Sequence, residues 1–368
     1  MAGTKKRNKN HKSLIAENRF KKTSIASLRN KSSQKKKSKS ASNSSSSSNS
    51  NFLIKFFKKI TRFFLRIIWG LTWRTSLIIF LGITSAISYY YFNMKEFSSF
   101  LDERARGSVT LEDYKGEVFA WRGDNFSKNL TAKNISPHLK NAILATEDRG
   151  FYSHVGISPR GIGSAVFINL REGRGPLSGH GGSTITQQTA KLVCLGKPFS
   201  QADWNSEKDY EDSCRTSTIW RKIKEALYAL SLEFKFSKDE ILTIYINRVF
   251  LGAGTRGFEA AAQRYFGKSA KLVNPSEAAM LAGLLKAPTR YAPTNNLKRS
   301  QERANLIIGL MENQNFLSKS EAKFARENPA TLSKFAQAKA GGYFADWVMA
   351  SLPDYLTYET TEDVVIKT

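Results

Sequence analysis

The sequence predicts a mainly α-helical domain behind a single membrane-spanning helix. Three observations carry that prediction. Thr75–Phe92 (TSLIIFLGITSAISYYYF) is a run of 18 residues without a charge. From 137 to 316, apolar residues recur at the spacing of amphipathic helices, one segment after another. Over the same stretch strand alternation is scarce, and glycine turns punctuate the pattern.

Ahead of the span the chain reads as a disordered basic tail, residues 1–51, and a juxtamembrane segment, 52–74. The net charge of +26 is uneven: residues 1–74 hold 20 Lys/Arg against one acid, Glu17, which leaves only +7 for the rest. The basicity therefore belongs to the tail, which lacks the interleaved aromatics of a nucleic-acid stacking platform. Lys5–Lys39 and the Ser/Asn run Ser40–Asn51 are too polar to repay the entropy of ordering. A solvated arm is expected, with contact to anionic lipid as an addition. As a helix, 18 residues span roughly 27 Å, close to the hydrocarbon thickness of a bilayer. Tyr89, Tyr90 and Tyr91 fall where an aromatic belt would form, and Phe52–Leu71 suits an interfacial helix leading into the span. Lys55, Lys58, Lys59, Arg62, Arg66 and Arg74 precede the span, whereas Lys95 is followed by Glu96, Asp102 and Glu103. The positive-inside rule then puts the N-terminus in the cytoplasm and residues after about 93 outside. A cleavable signal peptide and a buried core helix are the competing readings of the apolar run.

Four segments of the helical stretch carry candidate chemistry. In ATEDRGFYSHVG (145–156), the apolar run Asn141–Thr146 ends a buried helix and delivers Glu147 and Asp148 to its C-terminal edge. Carboxylates oppose the helix dipole there, which suits a general base of raised pKa; solvated surface acids are the plainer alternative. In GHGGSTITQQTAK (179–191), a glycine-rich mobile loop runs into a helix. Ser183 or Thr184 caps that helix, with Gln187 completing a Thr184-x-x-Gln box. Thr184, Gln188 and Lys191 share one face, and such a loop, helix start and lysine suit a phosphate, against a simple capped helix. WRKIKE (220–225) opens an amphipathic helix in which Arg221 and Lys222 neighbour Glu225, alone an ordinary surface salt bridge. KDEILTIYINRVFLG (238–252), the stretch on to Gly267, and EAAMLAGLLKAP (277–288) read as structural helices and turns.

In this order and spacing the segments resemble the glycosyltransferase domain of class A penicillin-binding proteins and of monofunctional peptidoglycan glycosyltransferases, over residues 135–295 or so. The resemblance implies a lysozyme-like, mainly α domain across 93–316, with 317–368 as a linker-like segment. It implies an enzyme that polymerises lipid II: the acceptor's GlcNAc 4-hydroxyl attacks the donor MurNAc anomeric carbon with inversion, and undecaprenyl pyrophosphate leaves. Glu147 and Glu225 are then the catalytic carboxylates, the first as general base, the second positioning cations or a metal near the pyrophosphate. Lys191, with Arg221 and Lys222, faces that pyrophosphate, together with a divalent cation, Mg or Mn; no organic cofactor is implied. Ser183, Thr184, Gln187 and Gln188 line the donor cleft, while Asp148 joins the substrate-binding set and, with His154, braces the site. The implied partners are lipid II, the growing glycan on its undecaprenyl pyrophosphate, the bilayer and other cell-wall synthesis proteins, with no nucleic acid. The implied location is the bacterial inner membrane, with the catalytic domain periplasmic.

The chain departs from the family pattern in several places. An insertion, about Gly196–Thr218, precedes the RKIKE helix; Leu192 stands where Asn is common, and Thr243 where Glu is common. The only two cysteines, Cys194 and Cys214, bracket the insertion. Outside the membrane they are expected to form a disulfide, with two free thiols as the alternative. The set of transpeptidase signatures is incomplete: Ser-x-x-Lys occurs at Ser32 and Ser33 in the tail and at Ser320, but no Lys-Thr-Gly occurs. Gly341–Val348 and Glu362–Ile366 resemble the linker into such a domain, so a truncated bifunctional ancestor without acyl transfer is expected. Two other functions stay open. One is a lytic enzyme of the same fold, using a catalytic Glu as acid on glycan; the other is a non-catalytic membrane scaffold.

Overall fold

The computed structural model describes residues 48–102, 109–116, 118–122, 130–176, 181–197, 200, 203–204, 207–216, 218–333, 336, 342–352 and 364–368. Most of the predicted tail, 1–47, and the centre of the glycine-rich loop, 177–180, lie outside them.

The first element is a single long helix. Helix α1 runs unbroken from Ser48 to Asn93, 46 residues, across the expected tail end, interfacial segment and span. It contains no proline, and hydroxyls within it bond back along the helix: Thr75 Oγ1 donates to Leu71 O at 3.0 Å and Thr84 Oγ1 to Phe80 O at 2.8 Å. Ile54–Asn93 is long and apolar enough to cross a membrane. Its large side chains, including Ile78, Ile79 and Phe80, are exposed, a surface that lipid accommodates and water does not.

By compactness the chain divides inside α1, between Gly70 and Leu71. The described part of the first unit, 48–70, is helical throughout. In the second unit the end of α1 is tied to the helical domain. Tyr90 packs edge-on against Tyr228 at 5.3 Å, Ser231 Oγ donates to Ile87 O at 3.1 Å, and Lys235 Nζ donates to Met94 O at 2.5 Å.

After α2 (Phe97–Asp102) and strands β1 (Val109–Glu112) and β2 (Val118–Arg122), the fold is mainly α, as the periodicity predicts. Its helices are α3 (Pro137–Glu147), α4 (Pro159–Arg171), α5 (Ile185–Leu192), α6 (Glu207–Arg215), α7 (Ile219–Lys235), α8 (Lys238–Arg248), α9 (Phe258–Phe266), α10 (Pro275–Leu284), α11 (Pro288–Tyr291), α12 (Leu297–Asn313) and α13 (Lys319–Glu327). Helix α10 is buried from Ser276 to Leu284 and packs on both α3 and α12. A sequence as uniformly apolar and small as PSEAAMLAGL has no solvent face to offer, so it becomes the centre.

The helical core runs past residue 316. Leu317, Ala322, Ala325 and Ala330 join it, and α13 starts on a Ser318/Glu321 capping box. Only two positions of α13 are buried, too weak a pattern to distinguish it from a linker by eye. Further on, α14 (Gly342–Ser351) brings Ala345, Val348 and Met349 into a second small core with Val109, Leu111 and Ala120. Strand β3 (Val364–Lys367) pairs in parallel with β1, Val109 opposite Val364, giving the order β2-β1-β3. The described parts of the linker-like segment are thus built into the domain.

Cys194 and Cys214 form a disulfide across 20 residues, tying the end of α5 to α6. Closing a loop of that size is worth about 3 kcal/mol in chain-entropy terms. Replacing both residues by Ser is expected to lower the unfolding midpoint by about 5 °C. Mass mapping of non-reduced protein is expected to return one linked peptide pair; two alkylatable thiols would overturn the pairing.

Candidate active site

Helix α3 buries Leu139, Ala142, Ile143, Leu144 and Ala145 and ends on Glu147. The Glu147 side chain is partly buried, and its Oε2 accepts a hydrogen bond from Gln188 Nε2 at 2.7 Å. The other end of that amide is held as well, because Tyr245 Oη donates to Gln188 Oε1 at 3.2 Å. Burial pushes the Glu147 carboxyl above its ordinary 4.5, while the Gln188 hydrogen bond and the charges of Arg303, Lys286 and Lys191 pull the other way. A carboxylate made more basic than usual, with its shell of donors in place, is equipped to accept a proton.

Asp148 behaves differently from its neighbour. It is the C-cap of α3, with φ −162° and ψ 80°, so the backbone leaves the helix at this residue and the two side chains diverge. Its Oδ2 accepts from Ile185 N at 3.1 Å, and both oxygens lie 3.0 Å from His154 Nε2. The carboxylate braces the start of α5. Thr184 and Gln187 are engaged locally as well. They form the predicted capping box, Thr184 Oγ1 accepting from Gln187 N and Gln187 Oε1 from Thr184 N, both at 3.1 Å. Thr184 Oγ1 also donates to Gly156 O at 2.5 Å, and both side chains are buried. They shape the helix start. Two motif glycines explain the tight fit there. A Cβ on Gly182 would come within 2.7 Å of Ile162 Cα in α4, and Gly156, at φ +68°, sits against Ala229 O in α7.

The third group sits on α7, whose first turn Thr218 caps by accepting from Arg221 N at 3.1 Å. Glu225 is only 1% exposed, and each of its oxygens has a cation. Arg221 Nη1 pairs with Oε2, and Lys222 Nζ with Oε1 at 2.6 Å. Arg221 Nε donates to Thr216 O, at the end of the insertion, and Lys222 Nζ donates to Ser183 Oγ at 2.8 Å. The Lys222 side chain remains 45% exposed, so positive charge is presented outward over a buried carboxylate. Each oxygen of Glu225 thus holds one side-chain cation, and among the described residues no three His, Cys, Asp or Glu side chains group as a metal site.

Helix α5 is the hub of this arrangement. Its leading residue Ser183 meets Lys222, its first N–H meets Asp148, and Gln188 meets Glu147. Lys191 lies in its last turn, with its charge acting on Glu147. Sequence reasoning missed Tyr245, Arg303 and Lys286. Tyr245 sits in the KDEILTIYINRVFLG run, and a hydroxyl-bearing aromatic on an otherwise aliphatic helix was the available signal. Thr243, at the departed position, accepts from Ala132 N at 3.0 Å and so anchors the chain entering α3.

Residues 115–312, more than half of the chain, match the family described as Transglycosylase. The chain is 38% identical over 236 residues to penicillin-binding protein 1A of Aquifex aeolicus, which covers 64% of this chain and 30% of that protein. Against penicillin-binding protein 1A of Haemophilus influenzae it is 40% identical over 218 residues, 59% of this chain and 23% of that one. Against penicillin-binding protein 1B of Vibrio cholerae it is 37% identical over 203 residues, 54% and 23%. The matched stretch thus spans less than a third of each relative's length. The chain belongs to the transglycosylase family.

Proposed function

We propose that this chain is a peptidoglycan glycosyltransferase that polymerises lipid II into β-1,4-linked glycan strands and releases undecaprenyl pyrophosphate. The observation that carries this reading is a pair of unlike sites joined through α5: a carboxyl of raised pKa at Glu147, and cations seated over Glu225. Glu147 takes the proton of the acceptor GlcNAc 4-hydroxyl as that oxygen bonds to the donor MurNAc anomeric carbon. The bond from that carbon to the pyrophosphate oxygen breaks on the opposite face, so configuration inverts and the electron pair leaves with the pyrophosphate. Arg221, Lys222 and Lys191 stabilise the departing charge. A pyrophosphate leaves as a stable anion, so no acid is required on that side. Ser183, which accepts from Lys222, and Gln188, which donates to Glu147, are read as the nearest of the motif residues to the donor. No step is assigned to a divalent cation.

The six cations of 55–74 and the acids after 95 support a cytoplasmic N-terminus, with the helical domain on the outer face of the inner membrane. The bilayer, lipid II, the growing strand and other cell-wall synthesis proteins are then its partners. Incubation with lipid II is expected to give high-mass glycan polymer, while purified glycan strands stay intact. Strand cleavage without polymer would assign the lytic reaction instead, and neither activity would leave a membrane scaffold.

A further inference from the structure

We propose that Tyr245 is a positioning residue for the base: its hydroxyl selects which end of the Gln188 amide faces Glu147. The inference rests on the glycosyltransferase reading and deepens it. A glutamine amide is a donor at one end and an acceptor at the other, in nearly the same volume. With the NH₂ toward Glu147, the ionised carboxylate is stabilised, and that is the form that accepts a proton. With the oxygen toward Glu147, only the protonated acid is satisfied, and the base is disabled. Contact with Glu147 alone does not settle the choice, because each orientation suits one protonation state.

The far end of the amide settles it. Tyr245 Oη donates to Gln188 Oε1 at 3.2 Å, while Gln188 Nε2 donates to Glu147 Oε2 at 2.7 Å. Tyr245 is fully buried on α8, and burial together with the Glu147 charge keeps its phenol protonated; with the amide reversed, its oxygen could accept from the NH₂, but its own buried O–H would lose the acceptor it has in Gln188 Oε1. Tyr245 itself touches no reacting atom. The other groups that face Glu147 are all cations: Arg303 from α12, Lys286 just after α10, and Lys191 from α5. They favour ionisation whatever stands at 245. Asp148, the adjacent acid, is committed to Ile185 N and His154. The contribution of Tyr245 is therefore separable from the electrostatics around it, and it runs through one amide.

The test is the pH dependence of kcat/KM for lipid II polymerisation. Tyr245→Phe keeps the ring and deletes the donor. Its acid limb, where Glu147 loses the ionised form, is expected to move up by about 0.5–1 pH unit, the worth of one hydrogen bond. In a Gln188→Leu background, Tyr245→Phe is expected to add no further shift, since its path is gone. A fluorotyrosine placed at 245, a stronger donor in nearly the same volume, is expected to move the limb down and serves if the Phe variant misfolds. An unmoved limb in a folded variant, or a shift of equal size without Gln188, overturns the proposal while the wild type still polymerises. Absence of polymer from the wild type overturns the glycosyltransferase reading and this inference with it.

Discussion

Glu147→Gln is expected to lower kcat/KM for lipid II polymerisation by about 10³-fold, within the range that loss of a general base produces. The amide keeps the shape of the carboxyl and a partner for Gln188, but it cannot accept a proton. The same substitution is expected to leave the unfolding midpoint at pH 7 unchanged or higher. In the folded chain the Glu147 carboxyl titrates above its ordinary 4.5, chiefly through burial, so the folded state binds this proton more tightly than the unfolded chain does. The stability that follows is fully present below the unfolded value and is lost as the pH rises through the folded one. At neutral pH the ionised group is a net cost, which a neutral amide removes. Polymerisation at the wild-type rate would sink the base assignment; a large fall in midpoint would place the residue's role in folding.

Glu225→Gln is expected to cost about 10²-fold in kcat/KM, the size of one lost charge-stabilising contact. One of the two cations then faces an NH₂ in place of a carboxylate oxygen, in a spot that is 1% exposed. Removing one partner of a buried pair costs about 3–5 kcal/mol; the exposed Lys222 can turn to water, so a loss of roughly 2 kcal/mol in stability is expected here. Because Glu225 acts by seating Arg221 and Lys222, adding Arg221→Ala to the variant is expected to lose much less than it does alone. Titration with Mg²⁺ separates this from a metal-ligand role. The defect is expected to persist at every metal concentration, and recovery of activity at high Mg²⁺ would make Glu225 a ligand.

What could be read from the residues alone follows from how far apart the partners lie. The Thr184/Gln187 box and the Arg221, Lys222 and Glu225 cluster are three or four positions apart, so helical geometry dictates them. Tyr245 and Gln188 are 57 positions apart, and nothing local brings them together. The two acids of the first motif show a subtler limit. Glu147 and Asp148 are adjacent, and only the backbone's exit from α3 at Asp148 sends one to Gln188 and the other to the start of α5. In α1, composition marks the charge-free stretch, and the helix read for Phe52–Leu71 runs into it unbroken because basic residues at intervals do not interrupt a helix. The mainly α class was legible because α7 and α12 are long and strongly patterned. The small sheet was not, because each strand has only four or five residues and β3 pairs with β1 from the far end of the sequence.

That sheet bears on the order in which the molecule is built. β1 emerges soon after the membrane helix, and β2 can fold onto it as a short antiparallel pair. Its other edge waits for β3, which is synthesised only after the whole helical domain. Helix pairs close in sequence, such as α10 with α12, have short loops to close and so can assemble first. The open edge of β1 is therefore a transient site for wrong strand pairing during synthesis, until β3 joins it.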